Sequence, residues 1–246
     1  MVRMGNVSVV AENHPKVRLR VRSQTCGPER DYMNAFIKDY SANIKARNLK
    51  SDTVLYIEPR IDSGYPDIVS VRYNDAAMDN WVPERLALDD DDLRILSHLI
   101  YTNGADIDDL VSELGFSLRK ASRSIELLND CHLVERKSHQ WKSVKRASFL
   151  SVNNITAIEV KLSDARSVRA QAVRNTRFSS CSYALLNIER PSQTLADSFS
   201  KAGIGLLVGS SYSEIVKPCR HPLPIGYVAL RFNEWVCSLL ALGEIR

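Results

Sequence analysis

Little in this sequence is both long and apolar. Stretches such as 204–208 and 236–242 fall far short of the roughly 20 residues that a bilayer span requires, and no signal-peptide core opens the chain. The expectation is a soluble, cytoplasmic protein with no membrane partner. Cysteine is sparse: Cys26, Cys131, Cys181, Cys219 and Cys237 are an odd number, none in a CxxC spacing. That excludes ribbon-type zinc chemistry and makes a disulfide framework unexpected, as suits a reducing compartment. The five histidines are scattered too, and HExxH is missing. Neither an internal repeat nor a low-complexity segment is present. What the composition does hold, 44% hydrophobic and 25% charged residues, is the globular average, which rules out a disordered tail or a coiled-coil rod. A chain of 246 residues has room for one large domain or two small ones. Its net charge of +4 permits a nucleic-acid partner without demanding one, so the placement of charge matters more than its sum.

Periodicity divides the chain into three stretches: 1–85, 86–150 and 151–246. In the first, residues 16–22 alternate Lys16, Arg18, Arg20 and Arg22 with aliphatic side chains, which predicts a strand with its cations on one face, either a solvated edge or a phosphate-contacting surface. Pro28 opens a predicted helix that carries Met33, Phe36, Ile37, Tyr40 and Ile44 at helical spacing and ends near Asn48. Two β-rich runs, 53–58 and 67–73, flank the turn signal Asp62-Ser63-Gly64 and predict a hairpin.

From Leu86 the style changes. Asp89 to Asp92 can cap and charge a helix that stops at Asn103-Gly104, and Asp106 caps a second over 107–114. Gly115 makes a turn, Ser117 caps a third helix through Leu128, and 133–137 and 141–145 form two strands around a polar tip. Helix, helix, glycine turn, helix and hairpin is the layout of a winged helix-turn-helix. Residues 151–246 return to alternation: strand 155–160, helix 164–178, strand 183–187, helix 193–202 and strand 204–208. The last stretch, 226–242, reads as helical, although 227–232 also fits a strand.

Two motifs carry the chemistry. Gly64-Tyr65-Pro66-Asp67 opens the second β run, and Ile158-Glu159-Val160-Lys161 lies on the strand after the winged-helix segment. The strand period of two puts Glu159 and Lys161 on one face. Carboxylates from neighbouring strands, Asp67 and Glu159, can hold Mg²⁺ (or Mn²⁺), a hard cation that takes oxygen ligands and keeps waters, while Lys161 beside it orients the attacking water and steadies charge on a phosphate. The neighbouring Ala157, Ile158, Val160 and Leu162 mark the strand as central to an α/β sheet, where an unpaired carboxylate and lysine are costly unless they form a site. On the helix that follows, Ala165, Val168 and Ala172 form the packing face, Arg166, Arg174 and Arg177 project elsewhere, and Gln171 flanks the apolar stripe.

Pro66-Asp67 followed by Glu159-Val160-Lys161 resembles the PD-(D/E)xK nuclease superfamily, and the order helix, strand, Asp strand, Glu-x-Lys strand, helix, strand is similar over most of residues 29 to 187. The resemblance implies an α/β fold of restriction-endonuclease-like type, a mixed sheet flanked by helices, with Mg²⁺-dependent hydrolysis of phosphodiesters by Asp67, Glu159 and Lys161. Residues 68–158 separate the two halves of the motif, where the family has a short hairpin or loop. The winged helix-turn-helix domain, 86–150, would then be inserted between two parts of the nuclease-like core, 1–85 and 151–246. The resemblance also implies that Gln171 acts near the metal's water or the substrate backbone. It implies a further acidic metal ligand, Glu58 or Glu29; Glu58 is favoured, because the first turn of a helix welcomes an acid such as Glu29 on electrostatic grounds alone. Related exonuclease lineages carry a Tyr four positions after the Gln. Asn175 stands there, a departure from those lineages.

Charge within the insert is polarised. Residues 88–115 hold one basic and eight acidic side chains, whereas 116–146 hold eight basic and three acidic. Ser117, Arg119, Lys120, Ser122 and Arg123 on the third helix are candidate major-groove readers, and Arg136, Lys137, Lys142, Lys145 and Arg146 on the hairpin are candidate phosphate contacts. Winged helices also bind proteins, and the same asymmetry would suit an acidic neighbour. The leading expectation is a Mg²⁺-dependent DNA endonuclease acting on double-stranded DNA, with a homodimer suited to cutting both strands. The alternative is a non-catalytic DNA-binding regulator or complex subunit on a nuclease-like scaffold.

Overall fold

The computed structural model describes residues 6–23, 26–46 and 51–245. In chain order its elements begin with β1 (Val7–Val10), α1 (Pro28–Ala46), β2 (Asp52–Ile57), β3 (Ile68–Tyr73), α2 (Asp90–Thr102), α3 (Ile107–Leu114) and α4 (Leu118–Asp130). They continue with β4 (Val134–Lys137), β5 (Gln140–Ser143), β6 (Val152–Lys161), α5 (Ala165–Asn175), β7 (Cys181–Leu186), α6 (Gln193–Lys201), β8 (Gly205–Val208), β9 (Ser213–Val216) and α7 (Tyr227–Ala241). The chain falls into two compact units: residues up to Tyr73 with Asn154–Pro224, and Asn74–Asn153 with Ile225–Ile245.

The first unit is α/β, a mixed seven-stranded sheet flanked by helices, in the strand order β1-β2-β3-β6-β7-β8-β9. β1 runs parallel to β2, β2 antiparallel to β3, β6, β7 and β8 parallel, and β9 antiparallel to β8. Asp67, just before β3, accepts from Val160 near the end of β6, and Asn74, just after β3, donates to Ser151 just before β6. These two neighbours therefore run in opposite directions, with the start of one beside the end of the other. Alternation sorts the apolar side chains onto two faces. Met33 and Phe36 of α1 pack on Leu55, Ile57, Ile68, Ile158, Val160 and Leu185. On the other face, Val168 and Ala172 of α5 and Phe199 of α6 pack on Ala184, Leu186, Leu206 and Val208. β6 is the middle strand of the seven, as its near-continuous apolar run requires.

Residues 16–22 are not the strand their alternation predicts. Pro15 starts a short 3-10 turn, Pro15–Val17, and Arg18 takes a left-handed φ of 57°, so the segment bends and makes only isolated bridges, at Leu19 and Val21. Val17 and Leu19 are buried, which accounts for the apolar half of the pattern. The helix expected to reach Asn48 is described to Ala46; Asn48 lies outside the described residues.

The second unit holds α2, α3, α4, the β4–β5 hairpin and α7. Its caps are encoded locally: Asp89 with Asp92, and Asp106 with Asp109, form reciprocal capping boxes, and Ser117 accepts from the Lys120 amide. Gly115 ends α3 at φ +69°, a conformation that disfavours a side chain. Leu93, Leu96, Leu99, Leu110, Ala121, Ile125 and Leu128 form one core, which Leu230 of α7 joins. The sequence places 151–246 together, but residues 225–245 group with this second unit, because α7 packs on α2 and buries Glu234 against Arg85. No described helix is long and apolar enough to cross a membrane.

Candidate functional site

Glu58 and Asp67 stand where the connecting loop leaves β2 and enters β3, each one residue outside its strand. The Glu58 amide donates to the Asp67 carbonyl at 2.9 Å, and Glu58 itself has a left-handed φ of 47°. Asp67 Oδ2 accepts from the Val160 amide at 2.7 Å, which pins its carboxyl across to β6. Glu159, the residue before, is buried. Its Oε1 accepts from Asn175 Nδ2 at 2.6 Å, and its carboxyl stands within hydrogen-bonding reach of Asp67. The strands thus bring the motif Asp and the motif Glu together, although residues 68–158 separate them.

Two acids in one poorly hydrated place resist losing their protons together. Burial, then the charge of Asp67, push the Glu159 carboxyl up to about 8, against the lowering influence of Asn175 and Lys161. Burial likewise raises Asp67, with the Val160 amide and Lys161 opposing. Lys161 answers the opposite sum. Burial alone would lower it, but its bond to Glu29 and the charges of Asp67, Glu29 and Glu159 prevail and hold the ammonium above the ordinary lysine value. Its Nζ lies 2.6 Å from Glu29 Oε1. Two neighbouring carboxyls beside a protonated amine can bind a cation or share a proton, and can face a phosphate.

A cleft of about 350 Å³ opens at this point, lined by Glu29, Arg30, Met33, Glu58, Asp67 and Val160, with Arg22 and Cys26 also on its wall. Both acids considered as further ligands line it, and each is held by a cation. Glu58 is buried and paired with Arg30 and, at 3.5 Å, with Arg22; Glu29 is paired with Lys161. Among the described residues no cluster of three or more His, Cys, Asp or Glu side chains is placed to hold a metal ion. Gln171 is half-buried, and its Oε1 is buried with no hydrogen-bond partner among the described residues. It is not bonded to Asp67, Glu159 or Lys161. The residue that does reach Glu159 from α5 is Asn175, four positions and about one turn further along the same helix face. The spacing from Gln171 was a usable signal for it. The arginines that clamp Glu58 had none, since Arg22 and Arg30 lie on a bend and a helix far from β2 in sequence.

In the second unit the basic side chains of 116–146 differ in availability. Arg119 and Arg123 are exposed on α4, and neither guanidinium makes an ion pair or hydrogen bond among the described residues. Lys120 pairs with Asp91 and lies over the Phe116 ring at 4.9 Å; Ser117 is engaged as a cap, and Ser122 is half-buried. On the hairpin, Arg136 lies over Trp141 and Lys137 pairs with Glu135 at 2.7 Å. The Lys142 stem packs where a Cβ on Gly104 would come within 2.9 Å of it, while Lys145 and Arg146 are exposed. Comparison with protein-family models, with curated proteins and with solved structures finds no match to the chain.

Proposed function

We propose that the chain is a divalent-metal-dependent DNA endonuclease of the PD-(D/E)xK kind, a restriction-endonuclease-like core with a winged helix inserted between β3 and β6 to dock on duplex DNA. One observation carries the reading: carboxyls from two adjacent strands, Asp67 and Glu159, meet in a setting that penalises both charges, with a protonated Lys161 alongside. Mg²⁺ or Mn²⁺ fits this donor set. Hard oxygens suit these cations, which are commonly held by one or two carboxylates together with waters and substrate phosphates, so a third protein acid is not required. The orphaned Gln171 Oε1, one turn from Asn175, is free to accept a hydrogen bond from a water.

When bound, the cation polarises the phosphate and makes a water more acidic. The chain's own groups do the rest. Asp67, anchored by the Val160 amide, and Glu159, oriented by Asn175, hold the cation. Lys161 offers its ammonium to the charge that grows on the phosphate, exchanging Glu29 for the substrate. Arg119, Arg123, Arg136, Lys145 and Arg146 supply an exposed basic surface for the DNA backbone.

Cleavage of plasmid and single-stranded DNA with Mg²⁺ or Mn²⁺ tests the reading. Asp67→Ala and Lys161→Ala are each expected to lower hydrolysis on the order of 10²- to 10⁴-fold. Hydrolysis absent with either metal, or indifferent to both substitutions, removes the enzyme. The Lys161–Glu29 and Glu58–Arg30 pairs, which close two acids of the cleft, favour the second reading in that event: a DNA-binding protein that does not cut.

A further inference from the structure

We propose that a second cavity of the core unit, separate from the acidic cleft and independent of the nuclease reading, binds a nucleotide. It encloses about 380 Å³ on the α1 side of the sheet, within the range of small-molecule sites. The two cavities take different stretches of α1: Pro28 to Met33 line the acidic cleft, Phe36 to Ile44 the second cavity.

Its floor is the place where this face of the sheet stops being apolar. Leu55, Ile57 and Ile68 sit under the start of α1, but further along the same strands the inward positions are Thr53, Ser70 and Arg72, with Thr156 on β6. Thr53 and Arg72 are register partners across β2 and β3, so they stand side by side. Thr53 is only 1% exposed, and its Oγ1 has no hydrogen-bond partner among the described residues. A buried hydroxyl left unmatched works against folding, and a core selected for stability alone would carry valine there.

Charge is unmatched as well. Arg72 and Arg220 both line the cavity, and neither guanidinium makes an ion pair or hydrogen bond among the described residues. The acid on the wall, Glu214, accepts from the Tyr183 hydroxyl at 2.8 Å. Two unengaged forks on one concavity suit an oxyanion such as phosphate.

Aromatic rings supply the third part. A Cβ on Gly205 would lie 2.3 Å from Tyr183 Cδ1, so the ring rests directly against that glycine's backbone, and the bond to Glu214 holds it there. Ring and cavity coexist only because residue 205 has no side chain. On the α1 side, Phe36 meets Tyr212 edge-on at 5.0 Å. A planar heterocycle can stack on this wall while its phosphate reaches the arginines and Thr53 takes a hydroxyl or base edge. A planar base joined to a phosphate is a nucleotide, either a free nucleoside phosphate or one residue of a single strand.

Calorimetric titration of the full chain in EDTA tests this. The probes are the nucleoside monophosphates, a 5′-phosphorylated trinucleotide and inorganic phosphate. Saturable binding of one nucleotide per chain is expected, weakened at least tenfold by Arg72→Ala and by Arg220→Ala in proteins whose melting is unchanged. Thr53→Val is expected to weaken binding severalfold while leaving the melting temperature equal or higher, which a purely structural threonine would not do. Equal affinity for monomer and trimer identifies a free nucleotide as the ligand, and binding of the trimer alone identifies a strand. The proposal is overturned if neither the monophosphates nor the trinucleotide saturates by millimolar concentration, if inorganic phosphate binds as well as the nucleotides, or if both arginine variants bind like the wild type. Because no divalent cation is present, these outcomes are separate from those of the cleavage assay.

Discussion

Both units bury acids, and they meet the cost of doing so in opposite ways. In the helical unit, Glu234 is matched by Arg85, which donates through Nε at 2.9 Å and Nη2 at 2.6 Å. Asn233 adds a bond to the same carboxylate, and Arg85 also reaches the Phe149 carbonyl at 3.4 Å. Burial alone would lower Arg85, but Glu234 more than offsets it and holds the guanidinium above its usual value. In the sheet unit, Glu159 instead faces another acid, with the neutral amide of Asn175 and the more weakly acting charge of Lys161 in support. A buried acid is therefore not in itself the mark of a site. The helical unit also sets a buried acid, Asp92, beside Asp89, but there the capping box accounts for the pair. The mark is a buried acid whose like-charged neighbour serves no such cap, since the fold then gains little from the arrangement unless a cation or proton comes between them.

The sharpest test of this contrast is removal of one partner from each pair. Arg85→Ala leaves Glu234 buried and alone, and is expected to cost about 3–5 kcal/mol in urea unfolding, most of it recovered by the double substitution Arg85→Met with Glu234→Leu. Asp67→Asn, measured without metal, is expected to go the other way and stabilise by about 1–2 kcal/mol, the size of gain seen when a functional compromise is relieved. A loss at Asp67→Asn as large as that at Arg85→Ala would erase the distinction.

The next effect is in pH. The unfolded chain releases the Glu159 proton near 4.5, whereas the folded chain keeps it until about 8. Stability from this group is therefore complete below about 4.5 and is lost as pH rises through about 8. The metal-free melting temperature should fall across that window, Glu159→Gln should flatten the fall, and Mg²⁺ should offset it by binding the ionised pair. A flat metal-free profile in the wild type would show that the two acids do not interact. The smallest effect belongs to an ion pair of the ordinary partly exposed kind. Lys120→Ala, which leaves Asp91 with Arg94 at 3.8 Å, is expected to change stability by less than about 1 kcal/mol.

The helical unit was the more legible of the two in sequence because its signals are local. Asp89, Asp106, Gly115 and Ser117 cap or turn their own neighbours, and α2, α3 and α4 start where these residues say. β1 and β9 left no such trace. Val7–Val10 is four residues long and becomes a strand by pairing in parallel with β2, and Ser213–Val216 is a mostly exposed edge. The alternation in 16–22 was a true burial signal read with the wrong backbone, since Pro15 and Arg18 bend the chain. The meeting of Asp67 with Glu159 could be anticipated from the motif and the strand period. What could not be anticipated is which cation each remaining acid would take, Lys161 for Glu29 and Arg30 for Glu58, because such pairings are settled only once α1 lies against the sheet.

The return of α7 to its unit sets the order in which that unit can mature during synthesis. Arg85 emerges from the ribosome long before Glu234, and between Asn153 and Ile225 the whole second half of the sheet must be made. At about 5–20 residues per second, the stretch from Arg85 to Glu234 leaves an interval of roughly 7–30 seconds in which the guanidinium lacks its mate, and for most of it the α2 surface lacks its cover. Until α7 arrives the early helices lack part of their core, and a fragment cut to 86–150 would lack it for good.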